Sequence, residues 1–503
     1  MNTNELNNTN DPFATARGMF EEVINELGSP RVAGFTHAQL EDLLAERQRE
    51  VTRRLMQDLL DLKAAGEARF PEVTGADGVT RRTAEPGHCR WLATRFGRVN
   101  VTRIAYRAKG VSNLHPADAA LNLPVEMHSH GLRRAAAEQA VRGSFDTARD
   151  QVNQVTGAGI GKRQVEALTV RAAVDIDAFY AARVPVPATD ATLLVLSVDA
   201  RGVVMRTEAL REATAKAAAA KGANRFATRL AGGEKHGRKR MATLGTVYDA
   251  NPAVRAPGDI IGGHDAGGQP PRRKGPTAAA KWLTASIADN SGEVIRQVFD
   301  QAEARDPTHR RCWVVLVDGA RHQLDLITDQ AAQRHVAVHI VIDFIHVMEY
   351  LWKAAWSFHA AGDPAAEAWV LDHALTILDG DPGAVATAIR AQAAGLDQDD
   401  KHTGADDCVA YLEAKKQYLD YRTALACGWP IATGVIEGAC RHLVKDRLDI
   451  TGARWGLAGA EAVLKLRALV SNGDFDDYWT WHLKQEYQRV HHSRYQGQYA
   501  LAA

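Results

Sequence analysis

The sequence lacks any run of about 20 apolar residues, so it offers no membrane-spanning helix. It lacks a disulfide framework. Cys89, Cys312, Cys408, Cys427 and Cys440 are odd in number and scattered, which suits reduced thiols in a cytosol. The opening MNTNELNNTNDPF is polar and lacks the charged-then-apolar pattern of a secretory signal, so a cytoplasmic location is expected. There are no internal repeats. Nor is there an excess of one charge, since 61 Lys and Arg balance 61 Asp and Glu. What is present is ordinary for a folded chain: 503 residues, 46% hydrophobic and 24% charged. That length accommodates roughly two to four domains.

The charge balance hides a segregation. Residues 201–240 carry eleven Lys and Arg against three acids, and residues 359–420 carry twelve acids against four bases. One surface suited to a polyanion and one held away from it would give this pattern, as would two solvated faces.

Residues 38–65 read as a long helix ending at Gly66. Leu40, Leu44, Val51, Leu55, Leu59 and Leu62 fall on one face, expected to be buried within its own domain. Residues 90–110 alternate around Gly97 as a β-hairpin. Residues 144–157 and 162–180 form helix, glycine turn, helix, an arrangement compatible with a DNA-reading helix-turn-helix whose second helix opens with Lys162 and Arg163. GAGIGKR (157–163) imitates a phosphate loop, but Thr156 stands where glycine is needed and Arg163 where Ser or Thr would hold magnesium. It reads as the turn between the helices. Strands are expected at 191–202, 241–249, within 311–323 and at the start of 335–358. Residues 251–277 are Pro/Gly-rich loop, residues 290–306 a helix, and the acidic stretch is helical. Strands alternating with helices indicate an α/β core.

Two apolar runs end alike, LLVLSVDA at Asp199 and WVVLVDGA at Asp318. On neighbouring strands the two carboxylates would converge and require a hard cation between them. With a third acid from a helix, such a set holds the metal pair used in phosphoryl transfer. The plain alternative is that each Asp merely ends a strand. Glu437, in ATGVIEGACRHLVKDR, is the best third acid, with Arg441 and Lys445 expected on one helix face behind it. Glu349 and Glu461 fit amphipathic surface patterns. Cys440 and His442 lack a second pair at zinc spacing.

Asp199, Asp318 and Glu437, with VDGARHQ and GVIEGACRHLVKDRLDITGARW, resemble the DDE transposases of bacterial insertion sequences of the ISKra type, relatives of the Mutator-like group. The resemblance runs from about Tyr106 to Trp455. It implies an α/β RNase H-like catalytic core with an all-helical insertion, and a mostly helical N-terminal DNA-binding region. Asp199, Asp318 and Glu437 would be its metal-binding catalytic triad, for Mg²⁺ with Mn²⁺ as substitute. Asp343 and His346 resemble the Asp/Cys-x-x-His element of Mutator-like domains and would support the site; capping of a helix by Asp343 is the alternative. Met127, His128, Ser129 and His130 depart from the family pattern, and a structural role is expected for both histidines.

The layout implied is a helical and hairpin region (1–130), a helix-turn-helix-like region (131–185) and the first part of the core (186–358). The acidic insertion (359–428) and a C-terminal part carrying Glu437 (429–503) follow. The partners are the transposon's terminal repeats and target DNA, with a second copy of the chain and no membrane. DNA contacts are expected from Lys162, Arg163, Arg238, Lys239, Arg240, Arg441, Lys445 and Arg454. A nuclease of the same fold without strand transfer, and a non-catalytic DNA-binding derivative, are the alternatives.

Overall fold

The computed structural model describes residues 11–185, 189–220, 238–262, 272–396, 399–450 and 452–496. Residues 221–237 of the basic stretch lie outside them, as do 263–271 of the Pro/Gly-rich loop. The chain divides into two compact units, residues 1–182 with 474–503, and residues 183–473. Among the described residues no helix is long and apolar enough to cross a membrane.

In the first unit α1 (Ala14–Leu27) lies against α2 (His37–Ala65). The Thr36 hydroxyl and the Gln39 side chain cap each other's backbone at the start of α2, and Gly66 ends it. Two short strands, β1 (Val73–Thr74) and β2 (Thr80–Arg81), precede the expected hairpin of β3 (Thr83–Thr94) and β4 (Gly97–Arg107). The face of α2 expected to be buried is not. Leu44, Leu55, Leu59 and Leu62 are exposed, and Leu60 is buried instead, packed with Leu92, Val99 and Val101 of the hairpin. Leucine spacing named a stripe, but where the hairpin docks decides which side is covered.

Helices α3 (Pro116–Ala120), α4 (His130–Ala140), α5 (Phe145–Thr156), α6 (Lys162–Ala172) and α7 (Ile176–Ala182) follow. Gly157, at φ +62°, turns the chain out of α5 as the sequence suggests. The second helix expected over 162–180 is broken between Ala172 and Ile176. Asp175 sits in the break, accepting from His482 (2.6 Å) and Arg489 (2.9 Å) of the C-terminal helix Phe475–Val490. Buried Arg133 of α4 holds the same helix through Glu486 (2.7 Å). The end of the chain thus completes the first unit.

The second unit is built on a five-stranded mixed sheet, order β7-β6-β5-β8-β9. These are β5 (Leu193–Val204), β6 (Lys239–Ala250), β7 (Ala278–Ser286), β8 (Trp313–Val317) and β9 (Val338–Ile342). β5, β8 and β9 are parallel; β6 and β7 are added antiparallel. Leu193 to Val198 is a continuous buried run, as a strand covered on both faces requires. β7 is absent from the sequence reading because AAAKWLTAS is rich in alanine and poor in β-branched residues; pairing with β6 makes it a strand.

Around the sheet run α8 (Glu212–Ala220), α9 (Pro257–Ile260), α10 (Ser291–Arg305), α11 (Arg321–Gln333) and α12 (Phe344–Phe358). The acidic stretch is helical, as α13 (Pro364–Leu378), α14 (Pro382–Ala393), α15 (Asp399–Lys415) and α16 (Tyr421–Ala426). Its inner faces share one core with the sheet, joining Val314 and Leu316 to Leu351, Ile377, Ile389 and Leu412. Apolar burial therefore fixes these helices, and acids such as Glu367, Asp372, Asp406 and Glu413 are exposed. α17 (Gly434–Ala439), a π-helical turn Cys440–Lys445 and α18 (Leu457–Ser471) complete the unit.

Candidate active site

The parallel strands bring three aspartates to one edge. Ser197 of β5 is level with Leu316 of β8, so two residues further Asp199 stands beside Asp318. Val317 is level with Ile342 of β9, which puts Asp343 next in the row, its backbone N–H donating to Val317 at 2.8 Å. Asp199 does not end its strand, as the sequence suggested. β5 continues to Val204 because β6 pairs along its whole length; only the parallel pairing with β8 stops there. Asp318 is followed by Gly319 at φ +90°, where a Cβ would stand 2.8 Å from Ile342 Cδ1. Glycine is required for this turn.

Glu437 reaches the same edge from α17. Asp199, Asp318, Asp343, His346, Glu349 and Glu437 line one cleft of about 90 Å³, closed beneath by Val198 and Ile436. Four carboxylates are held by neutral donors. Asp199 Oδ1 accepts from Ala200 N (2.6 Å) and Asp318 Oδ1 from Ala320 N (3.0 Å). Asp343 accepts from Ile345 N (2.9 Å), capping α12 as the alternative reading had it, and it also lines the cleft. The Thr433 hydroxyl lies within hydrogen-bond distance of both Asp343 Oδ2 and Glu437 Oε1 (3.0 Å), and donates its one proton between them. Among the described residues no Lys or Arg forms an ion pair with any of these four.

Two assignments change here. Glu349, read as surface, belongs to the cleft, its carboxylate 3.3 Å from His346 Nδ1. Glu461, also read as surface, is structural instead, accepting from Ile287 N (2.7 Å) and Ala288 N (3.0 Å) and so anchoring the end of β7 to α18. Thr433 was missed altogether. Only its position four residues before Glu437, on the adjoining turn, gives it away.

Cys440 donates through Sγ to Asp199 Oδ2 at 3.1 Å. Burial first, and the Asp199 carboxylate second, push its thiol far above the ordinary range. His442 faces the other way, 3.2 Å from Ser471 Oγ.

The cations expected to meet DNA divide into two groups. Arg441 and Lys445 are exposed, four apart on a π-helical turn. Arg454, Arg238 and Arg163 are exposed. Lys162 is ion-paired to Asp146, and Lys239 to Asp449 at 3.3 Å. Arg240 does not suit phosphate contact. Its guanidinium donates to the carbonyls of Ile287 (2.6 Å) and Ala288 (2.9 Å), and burial lowers its pKa. His130 is structural, 2.9 Å from the Asn122 carbonyl and brought by burial to about 4. His128 lines a separate cleft beside Trp91 and Gln164.

Among the described residues no three His, Cys, Asp or Glu side chains stand at ion-holding spacing. In donor chemistry, however, the cleft suits a hard divalent ion: oxygen ligands from separate elements, uncompensated by base. One oxygen of Asp199 and one of Asp318 are engaged by the backbone N–H groups of Ala200 and Ala320. No family model matches the chain, and no curated protein matches it.

Proposed function

We propose that this protein is a DNA transposase of the DDE type, which cuts at the ends of an insertion sequence and joins the freed 3′-OH to target DNA. One observation carries the reading. Asp199 and Asp318 on adjacent parallel strands, and Glu437 from α17, line a single cleft without a basic partner. Uncompensated carboxylates repel one another, so such a set is costly unless a cation joins it. Strand order β7-β6-β5-β8-β9, with helices α13 to α16 inserted between Asp318 and Glu437, supports reading the core as RNase H-like.

In this reading Asp199, Asp318 and Glu437 would hold Mg²⁺, or Mn²⁺ in its place. Bound there, the metal supplies an activated nucleophile and charge neutralisation at the scissile phosphate. The residues of the chain hold the geometry. Thr433 ties Glu437 to Asp343, Cys440 orients Asp199, and His346 and Glu349 form the outer lip. Exposed Arg441, Lys445 and Arg454 would take DNA phosphates. Two transposon ends must be brought together, so a homo-oligomer acting in the cytoplasm, at the nucleoid, belongs to the same reading.

The test is incubation of the protein with DNA carrying its element's ends, a target plasmid and Mg²⁺. Cut ends and covalently joined product are expected. Cut ends without joined product would favour a nuclease of the same fold, and neither product a non-catalytic DNA-binding protein.

A further inference from the structure

In the first unit most arginines are spent on carboxylates: Arg47 on Glu26, Arg53 on Glu50, Arg81 on Asp77, Arg107 on Glu85 and Arg133 on Glu486. Arg49, Arg95, Arg98 and Arg163 are different. Among the described residues none has an acidic partner within ion-pair distance. Arg49 and Arg98 line two adjoining clefts of about 590 and 270 Å³ that share Arg98, Ala158 and Gly159. Arg95 and Arg163 are the chain neighbours of the lining residues Phe96 and Gln164. The walls are α2, the tip of the β3–β4 hairpin and the turn from α5 to α6. The acids in the larger cleft, Glu46 and Glu50, face Arg47 and Arg53.

The arginines lie over glycines. A Cβ on Gly157 would stand 3.3 Å from Arg49 Cδ, and one on Gly131 3.0 Å from Arg95 Cδ. Gly159 lies 4.0 Å from the Arg98 guanidinium on the same measure. Bare backbone lets the arginine stems lie flat, and the Arg49 guanidinium donates to the Gln154 carbonyl at 3.1 Å. At the hairpin tip Trp91 is 59% and Phe96 40% exposed. Unpaired guanidiniums beside exposed aromatic rings suit phosphates flanked by sugars and bases.

We infer that this cleft is a binding surface for the backbone of duplex DNA, with Arg49, Arg95 and Arg98 on successive phosphates beside the groove that α6 would enter. A duplex is favoured over a single strand because the arginines are spread across α2 and the hairpin tip, beside the exposed start of α6, where Arg163 stands. This rests on the reading of DNA as the substrate but not on the catalytic cleft.

The test uses the full chain, a fluorescein-labelled duplex of arbitrary sequence, EDTA and fluorescence anisotropy over a salt series. The double variant Arg95→Gln/Arg98→Gln should bind about tenfold more weakly, with the slope of log affinity against log salt shallower by about 1.8, or 0.9 per lost contact. Arg82→Gln/Arg107→Gln removes two ion-paired arginines from the far end of the same hairpin and should leave both values unchanged. Equal losses from both doubles, no loss from the first, or tighter binding of single strands than of duplex would overturn the proposal. The assay contains no Mg²⁺ and reads no cleavage, so a failure of the catalytic reading leaves the result for this surface distinct.

Discussion

At the scale of single residues the site depends on small neutral donors as much as on acids. Thr433 is buried between Asp343 and Glu437, and its hydroxyl is what joins a strand end to a helix. A buried hydrogen bond to a charged group contributes about 1.5–3 kcal/mol. Thr433→Val should therefore slow end cleavage roughly tenfold or more while DNA affinity stays constant, and Thr433→Ser should restore most of the rate. Equal rates in all three proteins would show that Glu437 is placed without it. The acids were legible in the sequence because each Asp follows an apolar run and Glu437 sits among small residues. Thr433 and Glu349 were not legible, since their roles come from folding α17 and α12 against one sheet edge. The fate of Arg240 was equally hidden: a basic run does not reveal which member points at carbonyls.

At the scale of elements, buried strands and capped helices announced themselves. LLVLSV and WVVLV are apolar throughout, and Thr36, Ser144 and Asn290 cap helices at the expected places. The elements that were missed owe their form to partners: β7 to β6, the break at Asp175 to the C-terminal helix, and the exposed leucines of α2 to the docking side of the hairpin. One close approach holds the helical layer to the site. A Cβ on Gly404 of α15 would meet the Lys353 carbonyl oxygen of α12 at 2.4 Å. Because that atom is backbone, Gly404→Val must push the helices apart, at a cost of about 1–3 kcal/mol. α12 begins at Asp343 and carries His346, so thermal unfolding should occur at lower temperature and cleavage should fall with it. An unchanged melting temperature would mean that α15 accommodates the side chain elsewhere.

At the scale of the whole molecule, the balanced charge conceals a division of labour. Carboxylates without bases line the cleft of the second unit, and arginines without acids gather in the first. The first unit also carries a titration signature. Burial holds His115 at about 3, His130 at about 4 and His491 at about 4, all below the ordinary 6.5. Their folded values are depressed, so the unfolded chain binds more protons between about pH 4 and 6.5, and stability rises with pH across that window. Acidification from pH 7 to 5 should lower the melting temperature of the parent, and His130→Gln should flatten the dependence in part. A melting temperature that holds or climbs on acidification would contradict the neutral burial of these rings.

The central claim is that Asp199, Asp318 and Glu437 perform chemistry on DNA without being needed to hold it. The most direct measurement compares cleavage and binding of labelled element ends by Asp199→Asn, Asp318→Asn and Glu437→Gln, with Glu349→Gln alongside. Each of the first three should lose at least about 10³-fold in cleavage with Mg²⁺, and combining them should cost little more, because the three act as one unit. Binding in EDTA should be equal to the parent's or slightly tighter, and Glu349→Gln should retain most of the activity. A Glu437→Gln protein that cuts ends at the parental rate, or triad variants that lose binding and cleavage together, would contradict the assignment.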